Sequence, residues 1–235
     1  MRVPAPRFAG SIGELATRVR EAAHGRGRFL LGLTGEPGAG KSTVSAQLAA
    51  ALGDDAVVVP FDGFHLASTL LGTEELRNRR GAIDTFDLAG YRMLMQRLRR
   101  GDEPVVYAPA YAREIEEPVA AAIAVSRSTP IVITEGNYLL SDHPDLREAR
   151  ALLDQVWYVD VDADTRRHRL VQRHIRFGKT PEAAADWVER SDEANARAIR
   201  ASREQADLVV RVRDDLPPLD GASGGEHGAA GVISR

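Results

Sequence analysis

Apolar residues along the chain fall into two kinds of segment. Short, nearly continuous apolar runs lie at residues 29–33, 56–59 (leading to Phe61-Asp62), 131–134, 155–161 and 208–212. Between them, apolar residues recur every three or four positions: Ile12, Leu15, Val19 and Ala22; Val44, Leu48 and Leu52; Leu88, Tyr91, Met95 and Leu98; Leu146, Ala149 and Leu153. Runs of the first kind suit strands covered on both faces, as in parallel sheets, whereas the second kind suits amphipathic helices. Strands alternating with helices predict an α/β, three-layer architecture. We read it as a five-stranded, mostly parallel sheet with helices on both faces.

Local signals place several ends. Ser11-Ile12-Gly13-Glu14 has the form of a capping box, which sets an N-terminal helix at about residues 11–24, closed by Gly25-Arg26-Gly27. Asp164 is read as an N-cap, and Thr180-Pro181 as a cap followed by proline at the first helical position. Residues 1–220 are read as a single domain with a short helical lid at about 164–181. The last fifteen residues, GASGGEHGAAGVISR, have no periodic face and are read as a flexible tail.

One strand-to-helix junction carries chemistry. Gly35-Glu36-Pro37-Gly38-Ala39-Gly40-Lys41-Ser42, followed by Thr43, matches G-x-x-x-x-G-K-[ST] at every defined position. Glycines let the backbone approach phosphate oxygens, and the amide groups at the helix start face them. Lys41 is expected to reach the β- and γ-phosphates of ATP and the Ser42 hydroxyl to ligate Mg²⁺. This gives a P-loop fold with ATP and Mg²⁺ as its cofactors.

Ligands of open parallel sheets bind at the carboxyl ends of the strands. Asp62 and Glu135 both follow strand ends on the edge that the loop selects. Asp62 is the candidate base for an attacking hydroxyl, and Glu135 the candidate metal-side carboxylate. Asp160, Asp162 and Asp164 are assigned to structure, and Trp157 and Trp187 to packing. Arg166, Arg169, Arg173 and Arg176 share one helical face, with six Lys or Arg and no acid between Thr165 and Thr180. Such a face repels itself unless anions lie near. ATP and the moving phosphoryl group are one source of anion, and acidic residues elsewhere in the chain or a nucleic acid are others. Arg173 is expected to act on the transferring group and Arg169 on the nucleotide.

These residues resemble the phosphoribulokinase/uridine kinase family of P-loop kinases, which includes bacterial-type pantothenate kinases. The resemblance covers about residues 28–212. GEPGAGKST is similar to the family's loop, PFDGFHL to its strand-end Asp segment and ITEGNYLL to its Glu segment. YVDVDADTRRHRLVQRHIRFGKT resembles its lid helix, and ASREQADLVV its closing segment with Ser202 in place of Thr. APAYARE is similar to a segment of pantothenate kinases, carrying Tyr111 over but with Arg113 where those have His. Asn195 falls where they have a substrate-contacting Asn. GAIDTFD is similar to an element of uridine kinases, with Asp84 and Asp87 in register. The resemblance implies an ATP-dependent kinase acting on a hydroxyl of a small metabolite, with His65, Tyr111, Arg113 and Asn195 as acceptor contacts. A nucleotide-dependent ATPase switch and a polynucleotide kinase are the rival readings. The absence of an N-K-x-D segment counts against a GTPase.

Composition narrows the rest. The 235 residues include no cysteine, which removes disulfides, thiolate catalysis and thiolate-bound zinc. A formal net charge of −3 argues against a chain-wide grip on nucleic acid. The longest apolar run, residues 119–125, is far short of the roughly 20 needed to span a bilayer, and the first residues lack the apolar core of a signal peptide. The expected setting is the cytoplasm and the expected partner a small molecule, with neither membrane nor nucleic acid. A homodimer is left open.

Overall fold

The computed structural model describes residues 4–213 of the chain. The tail read at 221–235 lies outside them. Eight strands are formed: β1 (Arg7–Gly10), β2 (Phe29–Thr34), β3 (Ala56–Pro60), β4 (Val105–Ala112), β5 (Glu117–Ser126), β6 (Ile131–Glu135), β7 (Gln155–Val159) and β8 (Leu208–Val212). Eight α-helices accompany them: α1 (Ile12–Ala23), α2 (Lys41–Leu52), α3 (Glu74–Asn78), α4 (Leu88–Arg100), α5 (Pro144–Ala151), α6 (Ala163–Arg176), α7 (Pro181–Trp187) and α8 (Glu193–Arg200).

Six strands make one sheet in the order β1-β8-β7-β2-β6-β3, with every pairing parallel. The sheet therefore has six strands rather than five. The added strand, β1, is only Arg-Phe-Ala-Gly and pairs at the edge with β8. It has no apolar run to announce it. The antiparallel hairpin of β4 and β5 was also not anticipated; it stands apart from the main sheet.

Alternation within each central strand feeds two cores. Leu31 and Leu33 of β2, Ile131 and Ile133 of β6, and Trp157 and Val159 of β7 pack with Leu15 and Val19 of α1 and Val44 and Leu48 of α2. The intervening residues Leu30, Val132, Val156 and Tyr158 join Tyr91, Met95 and Leu98 of α4, Leu146 of α5 and Ile199 of α8 on the opposite face. Each large side chain fully buried in this way contributes about 1.5–3 kcal/mol. Burial on both faces is what makes these strands read as nearly continuous apolar runs.

The caps follow local chemistry. Ser11 and Glu14 form the capping box of α1, and Thr180 caps α7 with Pro181 in its first turn. The cap of α6 is Asp162 rather than Asp164: its carboxylate accepts from the Asp164 and Thr165 amides. Asp164 lies in the first turn, exposed, where its charge still favours the helix start.

Candidate active site

The phosphate loop joins β2 to α2. Its geometry depends on glycine. Gly38 has φ of +80°, and a Cβ there would come within 2.8 Å of the Leu170 side chain and 2.9 Å of the Arg166 carbonyl oxygen. Helix α6 therefore lies directly on the loop. Lys41, nearly all buried, donates from Nζ to the Gly35 and Glu36 carbonyl oxygens at 3.1 Å each. Burial lowers its pKa to about 8, against the pull of Glu135 and Asp62.

The Ser42 hydroxyl donates to Glu135 Oε1 at 3.0 Å. Glu135 is the last residue of β6 and is buried, and burial together with the nearby Asp62 charge raises its pKa. The two oxygens form a compact pair of hard donors. Such a pair suits Mg²⁺, which takes one or two protein ligands and completes its shell with water and phosphate.

Asp62 is held from both sides. The single-turn helix Phe61–Phe64 buries both phenylalanines edge-on against Tyr91, with ring centroids 4.8 and 5.4 Å away. Gly63 abuts the hairpin so tightly that a Cβ would lie 2.5 Å from the Pro109 carbonyl oxygen. The carboxylate is left half-exposed at the cleft, with Arg113 Nη2 4.0 Å from Oδ2. Arg113 lies in the turn between β4 and β5, so the hairpin delivers a cation to the strand-end acid.

Arg173 completes the cluster. Its side chain keeps contact with water, yet the protein walls around it and then Arg113 lower its pKa, while Asp62, Asp192 and Glu135 pull the other way. Lys41, Asp62, Arg113, Glu135 and Arg173 are thus electrostatic neighbours in one cluster at the strand ends.

The arginine face divides by role. Arg166 is taken up by the protein itself, donating to the Pro37 carbonyl oxygen at 3.4 Å. It is fully buried, with Nε 3.1 Å from Glu36 Oε2 and an Nη2 hydrogen bond to Glu193. Glu36 also accepts from Arg200 (2.9 and 2.7 Å) and from the Tyr158 hydroxyl (3.2 Å). Burial alone would raise the Glu36 pKa, but Arg200 and Arg166 outweigh it and hold it low. The second residue of the phosphate loop is thereby tied to β7, α6 and α8. Arg166→Ala is expected to cost about 3–5 kcal/mol in urea unfolding, because it takes the buried guanidinium from two carboxylates at once, leaving Glu193 only the half-exposed Arg167 and Glu36 only Arg200. Arg167→Ala should cost less than about 1 kcal/mol, since that side chain is half-exposed at 3.5 Å from Glu193.

Arg169 lines a second recess beside the loop. This cavity of about 340 Å³ is walled by Ala39, Val44, Val159, Val161, Val212 and Arg211, among others. The sequence reading places the valines and Arg211 only in strands or, for Val44, in the core face of α2, and gives none of them a part at the site. Asp160, read as structural, accepts ion pairs from Arg203 (3.1 Å) and Arg211 (3.0 Å).

The expected acceptor residues are brought together in part. His65 Nδ1 bonds the Asp62 carbonyl oxygen at 2.8 Å, and burial lowers its pKa. Its ring lies 4.9 Å from that of Tyr111, whose hydroxyl accepts from Arg80 at 3.3 Å. Asn195 stands further off, in a cavity between α8 and the segment after α3. Trp187, read as packing, is half-buried beside the His174 ring at 6.2 Å and also lines that cavity, with Lys179 Nζ 4.3 Å above its own ring. Trp157 is core, as expected. Asp87 caps α4 and Asp84 pairs with Arg79.

A model of the Phosphoribulokinase / Uridine kinase family matches residues 30–216. The chain belongs to that family. As a family member it is a P-loop kinase, a phosphotransferase with a hydroxyl acceptor, and it binds a nucleotide. Among its relatives is the Schizosaccharomyces pombe protein C227.14, provisionally named a uridine kinase, 34% identical over 90% of this chain and 94% of that one. The uncharacterized Escherichia coli protein YggC is 32% identical over 80% of this chain and 79% of its own. A crystal structure from Silicibacter sp. TM1040, of a provisionally named fructose transport system kinase, superposes with a TM-score of 0.77. It is 40% identical, covering 85% of this chain and 98% of the other. Among the described residues no helix is long and apolar enough to cross a membrane.

Proposed function

We propose that this kinase transfers the γ-phosphoryl group of ATP to a hydroxyl of a small metabolite, with Asp62 as base. The observation that carries the reading is the cleft itself. A half-exposed strand-end carboxylate shares it with Lys41, Arg113 and Arg173, beside the Ser42–Glu135 oxygen pair.

In this reading the loop amides and Lys41 hold the β- and γ-phosphates, and the recess at Arg169 and Val212 takes the nucleotide base. Ser42 and Glu135 would hold Mg²⁺, which would supply positive charge against the phosphates. Asp62 orients the acceptor hydroxyl and takes its proton as the new oxygen–phosphorus bond forms. The bond to the bridging oxygen breaks, and ADP carries away its electron pair. Arg173 balances charge on the group in flight. Position and electrostatics supply most of the rate, since phosphoryl transfer needs little covalent help.

Asp62→Asn tests the assignment. Asn keeps the shape and removes the base, so kcat should fall about 10²–10⁴-fold while the KM for ATP stays within a few-fold. ADP release measured against a panel of polyols, nucleosides, hydroxy acids and sugar phosphates supplies the assay. Unchanged turnover in the variant would remove Asp62 from the chemistry. Hydrolysis that no acceptor stimulates, but that a protein partner does, would favour a nucleotide switch.

A further inference from the structure

The cavity holding Asn195 has a volume of about 620 Å³ and lies between α8 and the segment that follows α3. Three arginines line it, Arg79, Arg80 and Arg190, together with Trp187, Ser191 and Asn195. Among the described residues no carboxylate does. The acids that pair with these arginines, Asp84, Glu116 and Asp186, approach from outside the lining.

Two of the three arginines are available. The Arg79 and Arg190 side chains are 51% and 73% exposed, and ion pairs that open to water contribute at most about 1 kcal/mol. A ligand anion can therefore displace their partners at little cost. Arg80 is instead fixed, donating to Ser68 Oγ at 2.5 Å, to the Glu116 carbonyl oxygen at 3.0 Å and to the Tyr111 hydroxyl. Through Tyr111 and His65 it connects to Asp62, so the cavity adjoins the proposed acceptor end of the cleft. Arg190 and Ser191 come from a π-helical turn, Val188–Asp192, a local irregularity that often marks functional positions. Trp187 adds a flat apolar wall.

We infer that this cavity recognises an oxyanionic group, a phosphate monoester or a carboxylate, on the acceptor whose hydroxyl is phosphorylated at Asp62. Guanidinium forks match both anions bidentately, and Trp187 covers the carbon skeleton between. The inference rests on the kinase reading for the identity of the acceptor, but anion binding itself can be measured without turnover.

The first experiment titrates inorganic phosphate into protein saturated with a non-hydrolysable ATP analogue and Mg²⁺, so that the β- and γ-phosphate positions of the loop are already filled. Tryptophan fluorescence is the readout: of the two tryptophans, Trp157 is fully buried in the core and Trp187 faces the cavity. We expect a saturable change, weakened at least about 10-fold in Arg79→Gln/Arg190→Gln, with circular dichroism unaltered. The absence of a saturable change, or an affinity indifferent to the double variant, overturns the inference. The second experiment compares ATP-dependent transfer to neutral polyols and nucleosides, to hydroxy acids and to sugar phosphates. Turnover confined to the anionic sets, with acceptor KM raised about 10–100-fold in the double variant and ATP KM unchanged, supports it. The better anionic set separates carboxylate from phosphate. A neutral best acceptor overturns the anion site and leaves the kinase reading standing. Phosphate binding sensed at Trp187 without transfer to any acceptor supports the site and counts against the kinase reading.

Discussion

Lys41→Met is expected to abolish phosphoryl transfer and, at the same pH, to make the nucleotide-free protein harder to unfold. The first half follows from charge. Lys41 is the buried cation at the phosphate loop, and losing such a contact to the moving phosphoryl group should lower kcat by at least about 10³-fold. The second half follows from the same burial. The Lys41 pKa in the folded chain is about 8, against an ordinary value of 10.5. Between those two values the unfolded chain holds more protons, so wild-type stability rises with pH across that window. At pH 7 both states are protonated and the full penalty is present, about 3 kcal/mol. Methionine removes the charge while filling the same tunnel. Thermal unfolding at pH 7 should therefore show a Tm several degrees above wild type, with the gap narrowing towards pH 10. A variant with lower stability and intact turnover would mean that Lys41 is a packing residue.

Arg173→Ala is expected to cut kcat about 10³–10⁵-fold with little change in the KM for ATP, the signature of an interaction made mainly in the transition state. Arg173→Lys should recover only part, because a point charge does not reproduce the planar fork. Arg147, exposed on α5, is the control and should tolerate Ala. Steady-state kinetics on the three variants, with circular dichroism to confirm folding, decides the matter. Equal small effects at Arg173 and Arg147 would leave the arginine helix without a part in the reaction.

What was legible in the sequence follows from how each feature is encoded. The central strands are buried on both faces, so their apolar runs are nearly continuous, and the loop between β2 and α2 is written in local spacing. Asp62 and Glu135 could be placed because strand ends and sheet edge are implied by the same runs. The strand β1 is too short and too polar to show a pattern, and its pairing with β8 spans nearly the whole chain. The hairpin was hidden by Pro109 within β4 and by the alanine-rich, exposed face of β5, neither of which reads as a strand. The arginine spacing correctly gave one helical face, but periodicity says nothing about what lies opposite. Glu36 and Glu193 lie 130 and 27 residues from Arg166, and only the fold brings those carboxylates against it. Trp187 reads as packing because an aromatic on an apolar helix usually packs, and its spacing does not show that it also borders a cavity. Here its neighbours across the gap are arginines.

The contact of Gly38 with Leu170 and Arg166 sets a pivot. Helix α6 is pinned to the loop through its first two turns; His174 in its last turn bonds Asp192 at 2.8 Å, and the end at Phe177 and Gly178 is exposed. Were that far end to swing as ligands enter, the fulcrum would lie at Leu170. Arg173 is three residues beyond, about 4.5 Å along the axis, so a 10° swing would displace its backbone by less than about 1 Å. The same rotation carries Phe177 more than twice as far. Were the helix to tilt in that way, its outer end would travel while the Arg173 backbone kept its place beside Asp62 and Glu135, so that access and alignment would be governed by different lengths of one rod.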